Sequence, residues 1–194
     1  MKIDKKLNLV TNITREDGSI VYLHVTPFPY EVVEEHCLLL GNLFTNFISQ
    51  VGGLGAARVA AMMLRKKLKR EQDLSAEQGQ QGPTIVDEIQ RLTSVIWNDG
   101  GAWKTTSFDA AMKQGIISPD EYREVEGEVV FFMVSSAIQK AQLIAPTVGS
   151  VIGMFGGQLV SSSVTAFRDS LLTSNPPTDT QTQSAQPETS YIPS

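Results

Sequence analysis

Only a few residues of this 194-residue chain have the types and spacing that metal binding or nucleophilic chemistry requires. Cys37 is the single cysteine; it directly follows His36, and the one other histidine is His24. A zinc site needs about four ligands at suitable spacing, and a disulfide needs a second cysteine. The sequence therefore favours a packed His36 and a core Cys37 within a helix over a metal site or a nucleophile. A lone cysteine is also typical of a reducing cytoplasm.

A cluster of carboxylates follows the pair Ser118-Pro119, which is predicted to cap and open a helix. The cluster consists of Asp120, Glu121, Glu124, Glu126 and Glu128. Two such groups could act as a pair in general acid–base catalysis. The sequence shows no further residue that would complete a catalytic pocket with such a pair. Carboxylates near the N-terminus of a helix also stabilise the helix by interacting with the positive end of its dipole. We therefore expect a solvated acidic face.

The string Gly53-Leu54-Gly55-Ala56-Ala57 partly resembles a turn that binds a dinucleotide. Such a turn follows a strand within a βαβ unit. This string follows an apolar helical pattern instead. A connection between two helices is therefore predicted.

A basic run near the end of the second predicted helix contrasts with the net charge of −5. It consists of Arg65, Lys66, Lys67, Lys69 and Arg70. Cations suit the negative end of a helix dipole, and no aromatic residues alternate with these cations as they do in many nucleic-acid surfaces. A solvated helix end is favoured over a site for phosphate or an acidic partner. The negative net charge disfavours nucleic acid as a partner.

Small residues recur at every fourth position from Ala137 to Thr165, almost wholly within the longest uncharged run of the chain, residues 141–167. In membranes this spacing allows two helix backbones to approach closely. The segment 143–164 also contains a proline, a glutamine, five hydroxyl residues and four glycines. The free energy of transferring it from water into a bilayer is therefore near zero or unfavourable. The first residues carry charges and lack the apolar core of a signal peptide. A membrane span is disfavoured.

Pro146 divides this series of small residues, because a proline clashes with the carbonyl four positions earlier. The helix is therefore expected to end or kink near Ala145. Beyond that point a shorter ridge remains, formed by Gly149, Gly153 and Gly157. We predict that this ridge contacts a protein backbone, from this domain or from a partner, rather than lipid.

The pattern along the chain predicts a mainly α domain with an N-terminal β-hairpin, an α+β fold, over residues 1–172. Alternating runs on either side of Asp17-Gly18 predict the hairpin, over about residues 6–26. Helical spacing follows, including a helix that Thr84 caps and whose apolar stripe reaches Ile96. Residues 173–194 are rich in Ser, Thr, Gln and Pro and are predicted to form a disordered tail.

Four large side chains are further candidates for partner binding, together with the three glycines of the ridge. Trp97 and Trp103 lie close to a predicted loop. They are expected to form a cluster that seals the edge of the core, and an anchor for a partner is the alternative. Met62 and Met63 lie in the second predicted helix. Core packing is favoured for these methionines as well, and adaptable contact with a partner is the alternative.

The order of several segments resembles the tail assembly chaperones of long-tailed bacteriophages. These segments are KIDKKLNLV, DGSIVYLHVTP, AARVAAMML, DEIQRLTSVIW, FDAAMKQGIISPDEYREVEGEVVFFMV and SSSVTAFRDSLLTSNPPT. The resemblance covers roughly residues 1–178 and contains no catalytic motif. It implies a non-enzymatic protein of the host cytoplasm that binds the tape measure protein, keeps it soluble and helps to recruit tail tube subunits.

The resemblance assigns no catalytic residue, no cofactor and no metal ligand, and self-association into a homo-oligomer stays open. Two other classes of function also stay open. One is a structural virion or head–tail joining protein, and the other is a membrane-acting phage protein that uses the small residues as a packing face. Nucleic acid is not expected as a partner, and a membrane is disfavoured.

Overall fold

The computed structural model describes residues 7–51, 56–75, 83–139 and 141–172. Within these residues an antiparallel five-stranded sheet has the order β4-β3-β2-β1-β5 and packs against helices. The elements are β1 (Asn8–Thr14), β2 (Ile20–Val25), α1 (Tyr30–Glu35), α2 (Cys37–Val51), α3 (Ala56–Ser75), α4 (Ile85–Arg91), β3 (Thr93–Asp99), β4 (Ala102–Ser107), α5 (Phe108–Lys113), α6 (Pro119–Ile138), α7 (Ala141–Met154), β5 (Gln158–Val160) and α8 (Val164–Leu172). The predicted α+β class is confirmed, although the sheet is larger than a hairpin. The predicted tail, 173–194, lies outside the described residues.

The N-terminal hairpin forms as predicted. Strands β1 and β2 pair from Leu9 opposite Val25 to Thr14 opposite Ile20. Gly18 has a φ of +80° in the connecting turn, which a residue without a Cβ adopts at little cost. The backbone N–H of Ser19 donates to Oδ1 of Asp17 at 2.8 Å. Asp17 therefore closes the turn through its side chain, and Gly18 closes it by adopting a positive φ.

The helix that was predicted to extend to Ile96 is shorter, and this prediction was wrong. Helix α4 ends at Arg91, and Thr93–Asp99 forms strand β3. Strand β3 pairs with β2, with Leu23 opposite Val95, and then turns back through Gly100-Gly101 into β4. The apolar residues fit helical spacing in the sequence, but the free edge of β2 supplies a ladder of backbone hydrogen bonds that the isolated segment lacks. The predicted N-terminus was correct, because Thr84 and Asp87 form a capping box.

The predicted break at Pro146 was also wrong. Helix α6 opens with the predicted capping box of Ser118 and Glu121 and ends at Ile138. The next helix, α7, contains Pro146 in its second turn. Near a helix N-terminus a proline removes few backbone hydrogen bonds. Oγ1 of Thr147 lies 2.5 Å from the carbonyl oxygen of Leu143 and 2.7 Å from Oε1 of Gln139. The single hydroxyl proton can be donated to either oxygen, which helps to hold this turn.

Helix α6 is packed between the sheet and the pair of helices α2 and α3. Its residues from Glu128 to Ser135 are all buried, as expected for a helix with elements on several sides. The sheet side of this core includes Leu9, Val25 and Leu23. Helix α6 therefore contacts the hairpin directly, and this contact positions the site described below.

The opposite face of the sheet packs against α8. Phe167 of α8 lies 5.5 Å from the ring of Tyr22, and the ring of Trp103 lies 5.6 Å from Tyr22, as ring-centroid distances. Nε2 of His24 lies 3.1 Å from the carbonyl oxygen of Ser162. A second, smaller core therefore covers this face, with Val10 and Ile96 at its base.

Candidate functional site

A buried carboxyl group, that of Glu128, joins α6 to β1. Glu128 is 6 % exposed, and the hydroxyl of Thr11 donates a hydrogen bond of 2.9 Å to its Oε2. Thr11 faces α6 because it lies two residues from Leu9 and from Ile13 on the same face of β1. The expected solvated acidic face is therefore wrong for Glu128, since this residue shares the buried stripe of Val125 and Phe132 rather than facing water.

Burial raises the pKa of Glu128 to about 7, and the hydrogen bond from Thr11 opposes this rise only in part. A carboxylate that leaves water loses hydration, and the neutral acid is then favoured. Near neutral pH the group therefore exists in both protonation states. Perturbed carboxyl groups of this kind often occur at functional sites.

Glu128 lines a pocket of about 480 Å³ between α3, α6 and the turn after α7. The other lining residues are Ala57, Ala61, Arg65, Arg123, Glu124, Gly127 and Phe155. The alanines of α3 and the glycine of α6 have too little bulk to fill the space between the two helices. The pocket therefore combines a partly apolar wall with charged side chains.

The two arginines of this pocket already have partners, whereas its two carboxylates are less well satisfied. Nη1 of Arg65 lies 3.1 Å from Oε2 of Glu126, and Nη1 of Arg123 lies 3.0 Å from Oδ1 of Asp120. The side chain of Glu124 has no hydrogen bond or ion pair with any residue that the structure describes, and neither has Oε1 of Glu128. The uncompensated charge of the pocket is therefore negative.

A second pocket, of about 420 Å³, lies beside the first at the end of the hairpin, and Glu124 lines both. Here Nε of Arg15 lies 2.6 Å from Oε1 of Glu121, and Nη2 of Arg15 donates to the carbonyl of Ile116 at 2.5 Å. The hydrogen bond from Arg15, with further bonds from Ser118, lowers the pKa of Glu121 to about 2. This ion pair holds the hairpin turn against the start of α6.

The three glycines predicted to form a ridge do not share one surface. Gly149 lies in α7 beside Leu159, whose Cδ1 would be 3.3 Å from a Cβ at this position. A Cβ at Gly153 would meet no atom within 4 Å. Gly157 lies beyond the end of α7, where a Cβ would be 2.7 Å from Cγ2 of Ile152 and 3.1 Å from Oε2 of Glu128. The three glycines do not form a ridge because α7 ends at Met154 and the chain then turns into β5.

The two methionines and two tryptophans that the sequence offered for partner binding do not lie together on one surface. Met62 is 55 % exposed, whereas Met63 packs against the main core. Trp97 and Trp103 are half-buried on opposite faces of the sheet, because Trp97 pairs with Lys104 and Trp103 pairs with Asn98. Each tryptophan therefore seals a different core, and the two do not form the single cluster that was favoured.

The remaining sequence candidates do not converge on a reactive centre. Cys37, expected in the core, is exposed, and His36 is half-buried beside it. In the part of the chain that the structure describes, no group of three His, Cys, Asp or Glu residues could hold a metal ion. The glycines of the string at 53–57 lie outside the described residues, as do the side chains of Lys69 and Arg70.

Comparison of the chain with protein families, curated proteins and solved structures found no match. The site must therefore be interpreted from its own residues. Among the helices that the structure describes, none combines the length and the apolar character needed to cross a membrane.

Sequence reasoning missed the contact between Thr11 and Glu128, although both positions carried a signal. Thr11 is a polar residue on the apolar face of an alternating strand. Glu128 lies three residues after Val125 and four before Phe132, on an apolar helical stripe. Two polar residues at inward positions of neighbouring elements are expected to pair.

Proposed function

We propose that this protein is a non-enzymatic tail assembly chaperone of a long-tailed bacteriophage, acting in the host cytoplasm. In this role it binds the tape measure protein and helps to recruit tail tube subunits. The proposal starts from the ordered resemblance of the sequence segments. The structural observation that supports it is the exposure of large apolar side chains on several helices.

Three of these exposed side chains, one leucine and two methionines, lie on three different helices. Leu38 of α2 is 81 % exposed, Met62 of α3 is 55 % exposed and Met154 of α7 is 64 % exposed. Covering one such side chain with a partner is worth about 1.5–3 kcal/mol. Methionine adapts to differently shaped neighbours, and surfaces that accept varied partners use this property. A chaperone for a long amphipathic client needs such contacts.

The pocket supports a binding role more than a catalytic one. Thr11 and Glu128 have the geometry of a nucleophile and a base, with 2.9 Å between their oxygens. Thr11 is only 1 % exposed, however, and a nucleophile must reach its substrate. The hydroxyl therefore serves Glu128 rather than a reaction.

Co-expression with the tape measure protein of the same phage tests the proposal. We expect the chaperone to raise the soluble fraction of the tape measure protein and to co-purify with it. A variant with Leu38→Lys, Met62→Lys and Met154→Lys should lose most of both effects. Its matched control carries Asn42→Lys, Gln114→Lys and Gln142→Lys, which add the same charge at exposed polar positions. Unchanged solubility of the client together with a lack of co-purification contradicts the proposal.

Two further observations would favour the other classes of function. Detection of the protein by mass spectrometry at stoichiometric amounts in purified particles would indicate a structural virion or head–tail joining protein. Recovery with detergent-extracted membranes rather than cytosol would indicate a membrane-acting protein. Either result contradicts a chaperone that acts in the cytoplasm and leaves the finished tail.

A further inference from the structure

The pocket between α3 and α6 has the features of a binding site for a cationic side chain. We propose that it takes the side chain of a lysine from a bound polypeptide, with the ammonium group held between the carboxylates of Glu124 and Glu128. The source of that lysine rests on the proposed function. The chemistry of the pocket does not, and it is tested separately below.

The charges of the pocket select a cation over an anion. Arg65 and Arg123 each lie within 3.1 Å of a carboxylate oxygen, on Glu126 and Asp120 respectively. Their charge is already compensated, so they offer little attraction to an incoming anion. Oε1 of Glu128 and the carboxylate of Glu124 have no such partner among the described residues. Glu128 is buried with one side-chain hydrogen bond, from Thr11 to Oε2, and removing its carboxylate from water is costly. An ammonium group beside Oε1 would offset part of that cost.

The walls of the pocket suit the rest of a lysine side chain. Ala57 and Ala61 of α3 and Phe155 of the turn after α7 supply apolar surface. Lysine packs its four methylene groups along apolar surface while its ammonium group reaches a polar end. The volume of about 480 Å³ lies within the range of ligand pockets, roughly 300–1,000 Å³. The pocket therefore offers apolar surface for the methylene groups and carboxylates for the ammonium group.

The position of Glu128 also makes binding depend on pH. The charged groups that line the pocket with it are Arg65 from α3 and Arg123 and Glu124 from α6, while β1 contributes the neutral hydroxyl of Thr11. The empty pocket holds Glu128 with a pKa of about 7, and an ammonium group beside the carboxylate lowers that pKa. Binding therefore releases a proton, and the affinity should rise about tenfold between pH 6 and pH 8.

The test uses n-butylammonium as the probe, with the full-length protein labelled with ¹³C at its glutamate carboxyl groups. We expect n-butylammonium to shift the Glu128 resonance saturably, with an affinity about tenfold higher at pH 8 than at pH 6. Butyrate and butan-1-ol, which match the probe in size, should produce no saturable shift at that resonance. Binding of butyrate in place of n-butylammonium overturns the proposal, and so does the lack of any saturable shift at pH 8.

Variants then assign the binding to the two carboxylates. Glu128→Gln keeps the size of the side chain and an oxygen for Thr11, so the domain should fold. Because Glu128→Gln lacks the Glu128 resonance, isothermal titration calorimetry measures n-butylammonium binding by the wild type and all the variants. Glu128→Gln is expected to weaken that binding at least tenfold and to abolish its pH dependence. Glu124→Gln should weaken binding about threefold. Glu34→Gln, at an exposed position on α1, is the matched control and should bind like the wild type. Equal affinity of all the variants overturns the assignment.

Co-expression with the tape measure protein separates this inference from the proposed function. If the wild type and Glu128→Gln both retain the client equally, the chaperone function stands and a client lysine in the pocket is excluded. If neither retains the client, the proposed function fails, whereas saturable binding of n-butylammonium still supports a cation site. Loss of the client only in Glu128→Gln supports both proposals.

Discussion

The hydroxyl of Thr11 and the carboxyl group of Glu128, 117 residues apart in the chain, share a buried hydrogen bond of 2.9 Å. This contact joins helix α6 to strand β1 of the N-terminal hairpin. It is also the one hydrogen bond that the structure gives to the carboxyl group of Glu128 within the described residues. Several measurable properties of the domain should therefore depend on this pair.

Replacing Thr11 with valine should destabilise the domain by about 1–3 kcal/mol, because a buried acceptor loses its donor while the shape is kept. The loss should be larger at pH 8 than at pH 5, since the charged carboxylate needs the donor more. Urea denaturation at both pH values measures it. Thr14→Val, at an exposed position of the same strand, is the control and should change stability little. Equal losses for the two variants contradict a specific role for Thr11.

Titration of Glu128 should make the domain less stable as the pH rises from about 4.5 to about 7. The usual pKa of 4.5 applies to the unfolded chain and about 7 to the folded one, so the folded state binds more protons within this interval. The difference corresponds to about 3 kcal/mol. Glu128→Gln lacks this titration and should match the wild type near pH 4.5 but exceed it by about 1–3 kcal/mol at pH 8.

Thermal or urea denaturation of the wild type, Glu128→Gln and Glu34→Gln across this pH range provides the measurement. The Glu34 variant should follow the wild type at every pH. A difference between the wild type and Glu128→Gln that does not vary with pH would show that Glu128 does not titrate in this interval.

Two glycines of the predicted ridge should respond to alanine in opposite ways. Gly157→Ala places a Cβ 2.7 Å from Ile152 and 3.1 Å from Glu128, and this overpacking should cost about 1–3 kcal/mol. Gly153→Ala meets no atom within 4 Å in the helix α7 and should raise stability by about 0.4–1 kcal/mol. Differential scanning calorimetry compares the two melting temperatures. A similar shift for both variants would contradict the packing around Gly157.

The ion pair of Arg15 and Glu121 should contribute acid-sensitive stability. The pKa of Glu121 is about 2 in the folded state and 4.5 ordinarily, so the folded state binds fewer protons and stability falls as the pH drops from 4.5 to 2. Arg15→Met should cost about 1–3 kcal/mol at pH 7 and should reduce the loss below pH 4.5. Arg123→Met breaks the exposed pair with Asp120 and should cost under about 1 kcal/mol. Acid titration followed by circular dichroism distinguishes the two variants.

Local sequence signals were sufficient for the elements whose ends are capped or turned by their own residues. The turn at Asp17-Gly18, the cap at Thr84 and the capping box at Ser118 are all closed by groups within a few residues. Such signals do not depend on the rest of the fold, and the structure has each of them where the sequence placed it.

Elements that depend on distant partners were predicted poorly. Strands β3 and β5 form because β2 and β1 offer free edges, and the pairing of Leu9 with Leu159 joins residues from opposite ends of the domain. The continuation of α7 through Pro146 depends on the side chain of Thr147 and on the position of the helix end. The pocket was missed for the same reason, since α3, α6 and the turn after α7 meet only in the folded domain.

The place of β5 beside β1 has a consequence for synthesis of the chain on the ribosome. The first strand of the sheet stays open along one edge until Gln158–Val160 emerges, because these residues pair with Asn8–Val10. Until then Leu9 lacks the neighbour Leu159, and the nascent chain exposes both apolar surface and unpaired backbone groups. The sheet is therefore completed only after all the residues between β1 and β5 have been translated, and a chain that stops before β5 would keep β1 as an open edge strand.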